Sequence, residues 1–119
     1  MQVISLKEKF SLFSEYFSPK IIGELNGQHV KLGKFKGEFV WHSHENEDEM
    51  FLVVKGKFFM DLRDKTLEIN EGEMIIIPKG VEHRPRSTEE VHVMLFEPAG
   101  TLNTGNINNE LTRSDPERI

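Results

Sequence analysis

The chain has 119 residues, 20 acidic and 15 basic, with a formal net charge of -5 when the histidines are neutral. That length suits one domain with one core, and the charge balance argues against a nucleic-acid binder, which would present a basic face. With no cysteine, disulfides and thiolate ligands are excluded, and no apolar run approaches the length of a membrane span. The first residues, Met1 to Glu8, lack the long apolar core of a signal peptide, so a cytoplasmic location is expected.

Ser5-Leu6-Lys7-Glu8 fits a capping box. Leu6, Phe10, Phe13 and Phe17 recur at helical spacing, so a helix is expected over residues 5–17, stopped by Ser18-Pro19. Its apolar stripe is expected to pack on the outside of the main body or on a partner subunit. Lys20 to Leu25 reads as a strand, Asn26-Gly27 as a hairpin turn, and Gln28 to Lys36 as the return strand. On that strand Val30 and Leu32 oppose Lys31, and His29, just after the turn, is expected at the surface. Lys36-Gly37 breaks the strand and Glu38 to His42 resumes it. Glu45 to Asp48 is a polar, solvated turn.

Strands Glu49–Lys55 and Lys57–Leu62 flank Gly56, where a positive φ is cheap only for glycine. A polar turn at 63–65 leads to a strand over 66–70, then to Glu71-Gly72 and a strand over 74–77. Pro78 ends that strand, since it cannot donate to a ladder. Pro78-Lys79-Gly80 forms a tight turn. A strand over 83–87, a turn at Thr88-Glu89-Glu90 and a strand over 91–97 complete the series. Strands this short and frequent indicate an all-β sandwich or barrel. From Pro98 onward the chain is polar and lacks periodicity. It is read as a tail, either disordered or laid as a strap across the body.

Chemistry concentrates in two stretches. Residues two apart on a strand face the same way, so His42 and His44 project side by side, and the turn at 45–48 brings Glu49 back beside them. The turn at 78–80 aims His83 at the same place. Three imidazoles and one carboxylate suit a single divalent Mn, Fe, Co, Ni, Cu or Zn ion. Four such ligands leave one or two coordination positions for a substrate. Strand parity puts Val40 with the histidines and Phe51 and Val53 with Glu49, as walls of an apolar pocket.

These two stretches resemble the signature motifs of the cupin superfamily. The first family motif is glycine, five residues, HxH, three or four residues, glutamate, six residues, glycine. The second is glycine, five residues, PxG, two residues, histidine, three residues, asparagine. Here Gly37 precedes His42 by one residue fewer than the motif asks, and Ser87 stands in place of the asparagine. Neither departure touches a ligand. The resemblance covers residues 28–97. It implies a double-stranded β-helix, or jelly-roll barrel, with a short N-terminal helix: residues 1–19 as the helical segment, 20–97 as the barrel and 98–119 as the tail. It also implies a homodimer. The short insert between Gly56 and Gly72 resembles the phosphomannose-isomerase type of cupin.

Two functional classes follow. One is an enzyme acting on a small organic molecule, either a dioxygenase or a sugar-isomerase-like enzyme. The other is a non-catalytic binding, storage or sensing module with a structural metal. For acid–base work the sequence offers His92, if the face of His92, Met94 and Phe96 turns inward, and Glu82. Arg84 and Arg86 share a strand face that is either exposed or set to meet a phosphorylated substrate.

Overall fold

The computed structural model describes residues 1–119. It contains one short helix and seven strands in a single sheet. Helix α1 runs over Leu6–Phe10, with the Ser5 hydroxyl accepting from the Glu8 N–H at 3.2 Å. It stops well short of residue 17. The Lys34 ammonium takes the Phe13 carbonyl at 2.6 Å, and the Phe17 N–H donates to the Lys34 carbonyl at 2.9 Å. Phe13 and Phe17 would exchange that bond with each other in a continuing helix. The apolar stripe is consumed within the chain. Phe10 and Phe13 pack on Leu32, while Phe17 stacks on Phe35 and Phe39 at 5.2 and 4.9 Å.

Strands β1 (Lys20–Leu25) and β2 (Gln28–Glu38) form the expected hairpin through Asn26-Gly27, both with positive φ, but β2 runs on through the break expected at Lys36-Gly37, and no strand forms over the expected 38–42. Strands β3 (Glu49–Lys55), β4 (Lys57–Leu62), β5 (Thr66–Asn70) and β6 (Met74–Ile77) follow the sequence reading. The last strand does not. β7 runs unbroken over His83–Pro98, through the turn expected at residues 88–90. Against β2, Phe35 pairs with Val91 and Gly37 with Ser87, so β7 carries extra residues at that point as a bulge. A polar bulge and a polar turn share one composition.

The sheet order is β1-β2-β7-β3-β6, and the β4–β5 hairpin hangs from the first half of β7. This overturns the closed jelly-roll barrel. No ladder joins β5 to β6, or β1 to either, so the sheet stays open. The outer edge of β1 is covered instead by the C-terminus: the Ile21 N–H donates to the Glu117 carbonyl and the Ile119 N–H to the Ile21 carbonyl. That lone bridge blunts an edge that would otherwise offer unpaired backbone groups.

Alternation fixes the faces. On β7, Val91, Val93, Leu95 and Glu97 are buried, and on β3 so are Glu49, Phe51 and Val53. With Phe35, Phe39, Phe58 and Met60 these apolar side chains form the main core. Lys31 also points inward, 1% exposed. His29 is buried rather than exposed, its Nε2 lying 2.7 Å from Glu24 Oε1 on the adjoining strand. No helix is long and apolar enough to cross a membrane.

Candidate metal centre

His42 leaves the strands altogether. A single bridge holds it against the start of β7, through the His42 N–H to the His83 carbonyl at 3.0 Å and the His83 N–H to the His42 carbonyl at 2.9 Å. The Gly80 N–H donates to the His44 carbonyl at 2.7 Å, so the Pro78–Gly80 turn docks directly on the second histidine. The Lys79 N–H donates to Asp48, tying that turn to the 45–48 loop. Glu49 opens β3 on its inward face. These contacts bring His42, His44, Glu49 and His83 together, all four buried, with one ligand atom from each lying within 4.8 Å of the others.

Hydrogen bonding selects the ring nitrogens that point inward. His42 Nδ1 and His83 Nδ1 lie 2.9 Å from the Val40 and Val81 carbonyls. A carbonyl only accepts, so both Nδ1 atoms carry the proton and both Nε2 atoms present lone pairs. His83 Nε2 faces Glu49 Oε1 at 3.3 Å, and His44 Nε2 faces the same oxygen at 3.1 Å. Yet His44 Nδ1, His44 Nε2, His83 Nε2 and Glu49 Oε1 are buried without a hydrogen-bond partner. A cation between these converging atoms would satisfy the carboxylate oxygen and the imidazole lone pairs together. Metal–donor bonds of about 2.0–2.2 Å place ligands at most ~4.4 Å apart, close to the observed spread. The donor set therefore fits a divalent transition metal.

Charge follows the same logic. Burial works against the Glu49 charge, but the His44 and His83 rings turned toward it hold its carboxyl well below the usual range. Burial and the neighbouring His83 ring push His42 down to about 4, against an ordinary value of 6.5. His42 is thus neutral and able to ligate at neutral pH. As pH falls, the unfolded chain takes up this proton first. In the metal-free protein, stability present above the unfolded value is lost between about pH 6.5 and pH 4, by about 3 kcal/mol at most. Urea unfolding at the two ends of that window should show the loss, and His42→Asn should flatten it.

Beside the cluster lies a cavity of about 30 Å³. Phe35, Phe39, Phe51 and Leu95 supply its apolar wall, and Phe17 and Asn103 also border it. Of the wall residues expected from strand parity, Phe51 is there, while Val40 and Val53 are not. Glu97, read from sequence only as a strand end, is in the wall. It is 2% exposed, and its Oε1 accepts from Lys31 at 2.8 Å. Burial, then the Glu49 charge beside it, pushes the Glu97 carboxyl well up, and Lys31 opposes both.

The other candidates fall outside. His92 faces outward, stacked on Phe10 at 4.5 Å and paired with Glu90 at 2.7 Å. Glu82 is exposed and paired with Arg63 at 3.1 Å. Arg84 and Arg86 both hold Asp61, at 2.9 and 2.8 Å.

Comparison with known proteins agrees with this geometry. The cupin domain family matches residues 28–97. The crystal structure of a cupin-2 domain containing protein from Shewanella frigidimarina is similar at 47% identity and a TM-score of 0.80, over 81% of this chain and 94% of that one. An uncharacterized Bacillus subtilis protein, YdbB, is 40% identical over 83 residues, which are 69% of this chain and 67% of its own length. The acireductone dioxygenase of Yarrowia lipolytica is 32% identical over 84 residues, 65% of this chain but only 46% of that enzyme. Family motif, shared fold and buried histidine–glutamate cluster coincide on one stretch, and the chain belongs to the cupin superfamily.

Proposed function

We propose that this protein is a metal-dependent cupin acting on a small organic molecule, with oxygen-dependent chemistry as the favoured reaction. The observation that carries the proposal is the convergence of four buried, partnerless donor groups beside an apolar cavity. A redox-active metal held by His42, His44, Glu49 and His83 would supply dioxygen and substrate activation. The chain's own residues supply the rest. The phenylalanines exclude water and offer a flat apolar wall, and Glu97 and Asn103 offer hydrogen-bonding groups on it.

The isomerase alternative has less support. The cavity wall contains no lysine or arginine to hold a phosphate, and the nearby arginines are committed to Asp61. Neither His92 nor Glu82 can serve as base there. The likeness to an acireductone dioxygenase favours oxygen chemistry. The test is oxygen uptake by protein loaded in turn with Fe²⁺, Ni²⁺ and Mn²⁺, using acireductone-type enediols. Uptake that disappears in Glu49→Gln supports the proposal. No uptake with any metal, alongside isomer exchange on sugar phosphates, overturns it.

The small size of the cavity favours the second, non-catalytic reading. Small-molecule sites run to about 300–1,000 Å³, whereas this one holds a few waters. In that reading the metal is structural, and chelation lowers the melting temperature by the lost binding free energy. An enzyme with an open coordination position would lose turnover while keeping most of its stability.

A homodimer forms part of the proposal, through a different surface from the N-terminal stripe. Met50 pairs across the sheet with Ile76 and Phe96, and Leu52 with Met74 and Met94. All six share the outer face of β3, β6 and β7, and Met74 and Ile76 are 51% and 57% exposed. A second copy would cover this patch. Light scattering at micromolar concentration should give a dimer for the wild type and a monomer for Ile76→Lys.

A further inference from the structure

The segment between the ligand histidines is fixed from two sides. An extended chain directs the backbone groups of successive residues to opposite edges. The N–H and carbonyl of His42 are spent on His83. Those of Ser43, on the other edge, are spent on the C-terminal strap. The Asn106 N–H donates to the Ser43 carbonyl at 3.0 Å, and the Ser43 N–H donates to Asn106 Oδ1 at 2.9 Å. One residue of the strap thus supplies both partners that a neighbouring strand would supply. Asn106 is separated from Ser43 by 63 positions and lies beyond the stretch 28–97 that the family matches.

The approach is close enough to dictate the preceding residue. A Cβ on Gly105 would stand 2.2 Å from the Ser43 oxygen and 3.2 Å from His42 Cδ2, and the φ of Gly105 is +55°. Only glycine permits that contact. The strap is also locked to itself. Thr104, fully buried, joins its hydroxyl to the Ile107 carbonyl and to the Thr112 hydroxyl, at 2.6 and 2.7 Å. The Asn103 amide donates to the Leu111 carbonyl at 3.0 Å and accepts from the Arg113 N–H at 2.8 Å.

We infer that Gly105 and Asn106 are positioning residues of the metal centre: they clamp Ser43, so that His42 and His44 stay aimed at one ion. The inference rests on the metal reading above. Without the clamp, the Ser43 backbone groups turn to water and the two rings gain freedom that binding must remove. Groups that orient metal ligands from behind typically change affinity by about 10–100-fold.

The experiment measures Co²⁺ affinity by competition with a chelating dye, for wild type, Asn106→Ala, Asn106→Asp and Gly105→Ala. It also measures hydrogen exchange at the Ser43 amide in the metal-free proteins. Asn106→Ala should weaken Co²⁺ about 10–100-fold and speed exchange at Ser43. Asn106→Asp keeps the acceptor and should recover most of the affinity, which a general loss of packing would not allow. Gly105→Ala, which drives the strap off Ser43, should match or exceed the loss in Asn106→Ala. Affinity in a folded Asn106→Ala within twofold of wild type overturns the clamp and leaves the metal reading standing. A wild type that takes up no Co²⁺ overturns both.

Discussion

Neutralising Glu49 should abolish stoichiometric metal binding while leaving a folded metal-free protein. Glu49 is the one anionic member of the cluster, 3% exposed, with two imidazoles against one oxygen. In Glu49→Gln the ion loses its compensating charge in a buried site. The loss should exceed the ~10–100-fold seen when only a supporting group is removed. The metal-free protein responds far less. There the amide keeps the oxygen that the His44 and His83 rings face and gives up only the charge those rings stabilise. Elemental analysis and melting curves with and without added metal separate the two effects. Wild type should gain stability on loading and the variant should not. One full equivalent of metal retained in Glu49→Gln would sink the assignment. His83→Ala should lose metal too.

Lys31→Met should destabilise the protein by about 3–5 kcal/mol, the cost of breaking a buried pair by removing one partner. Lys31 and Glu97 are 1% and 2% exposed and meet at 2.8 Å. The only other contact of the ammonium is the Thr101 carbonyl at 3.4 Å. Without it, Glu97 stands beside Glu49 with no cation to balance either. A second change, Glu97→Gln, should restore most of the loss, because the uncompensated charge rather than lost packing carries it. Urea unfolding of the two single variants and the double variant tests this. A loss under about 1 kcal/mol in Lys31→Met would show that Glu97 takes up a proton once Lys31 is gone and that no uncompensated charge remains.

What the sequence revealed and concealed has physical causes. The convergence of the four donor residues was legible because extended chain with a two-residue period and turn-forming residues fix direction locally. His42, His44, Glu49 and His83 needed no knowledge of distant contacts beyond the family motif. The length of α1 was not legible, because it depends on Lys34 intercepting the Phe13 carbonyl from another element. The inward face of β7 was ambiguous, since Val91-Val93-Leu95 and His92-Met94-Phe96 are both largely apolar. Glu97 and Lys31 were missed for a related reason. A charged residue ordinarily marks a surface or a strand end, and only their mutual pairing makes burial tolerable. Sheet closure is a property of edges meeting across the whole chain, and no local pattern encodes it. The clamp on Ser43 was hidden in a tail whose composition reads as loop. Its one trace is a glycine, Gly105, in a run already rich in polar residues.

Strand β7 sets a timetable for how the protein comes into being. It pairs with β2, β3 and β4, and it begins only at His83. During synthesis at about 5–20 residues per second, some 4–17 s pass before its first residue is joined. Through that interval β2, β3 and β4 have no common neighbour, and their apolar faces wait without cover. Assembly is governed by long-range pairing, which is slow and exposes nascent chains to aggregation. Ribosome-bound chains ending before His83 should therefore be protease-sensitive and rely on holding chaperones, with protection arriving in one step once residue 98 is free of the ribosome.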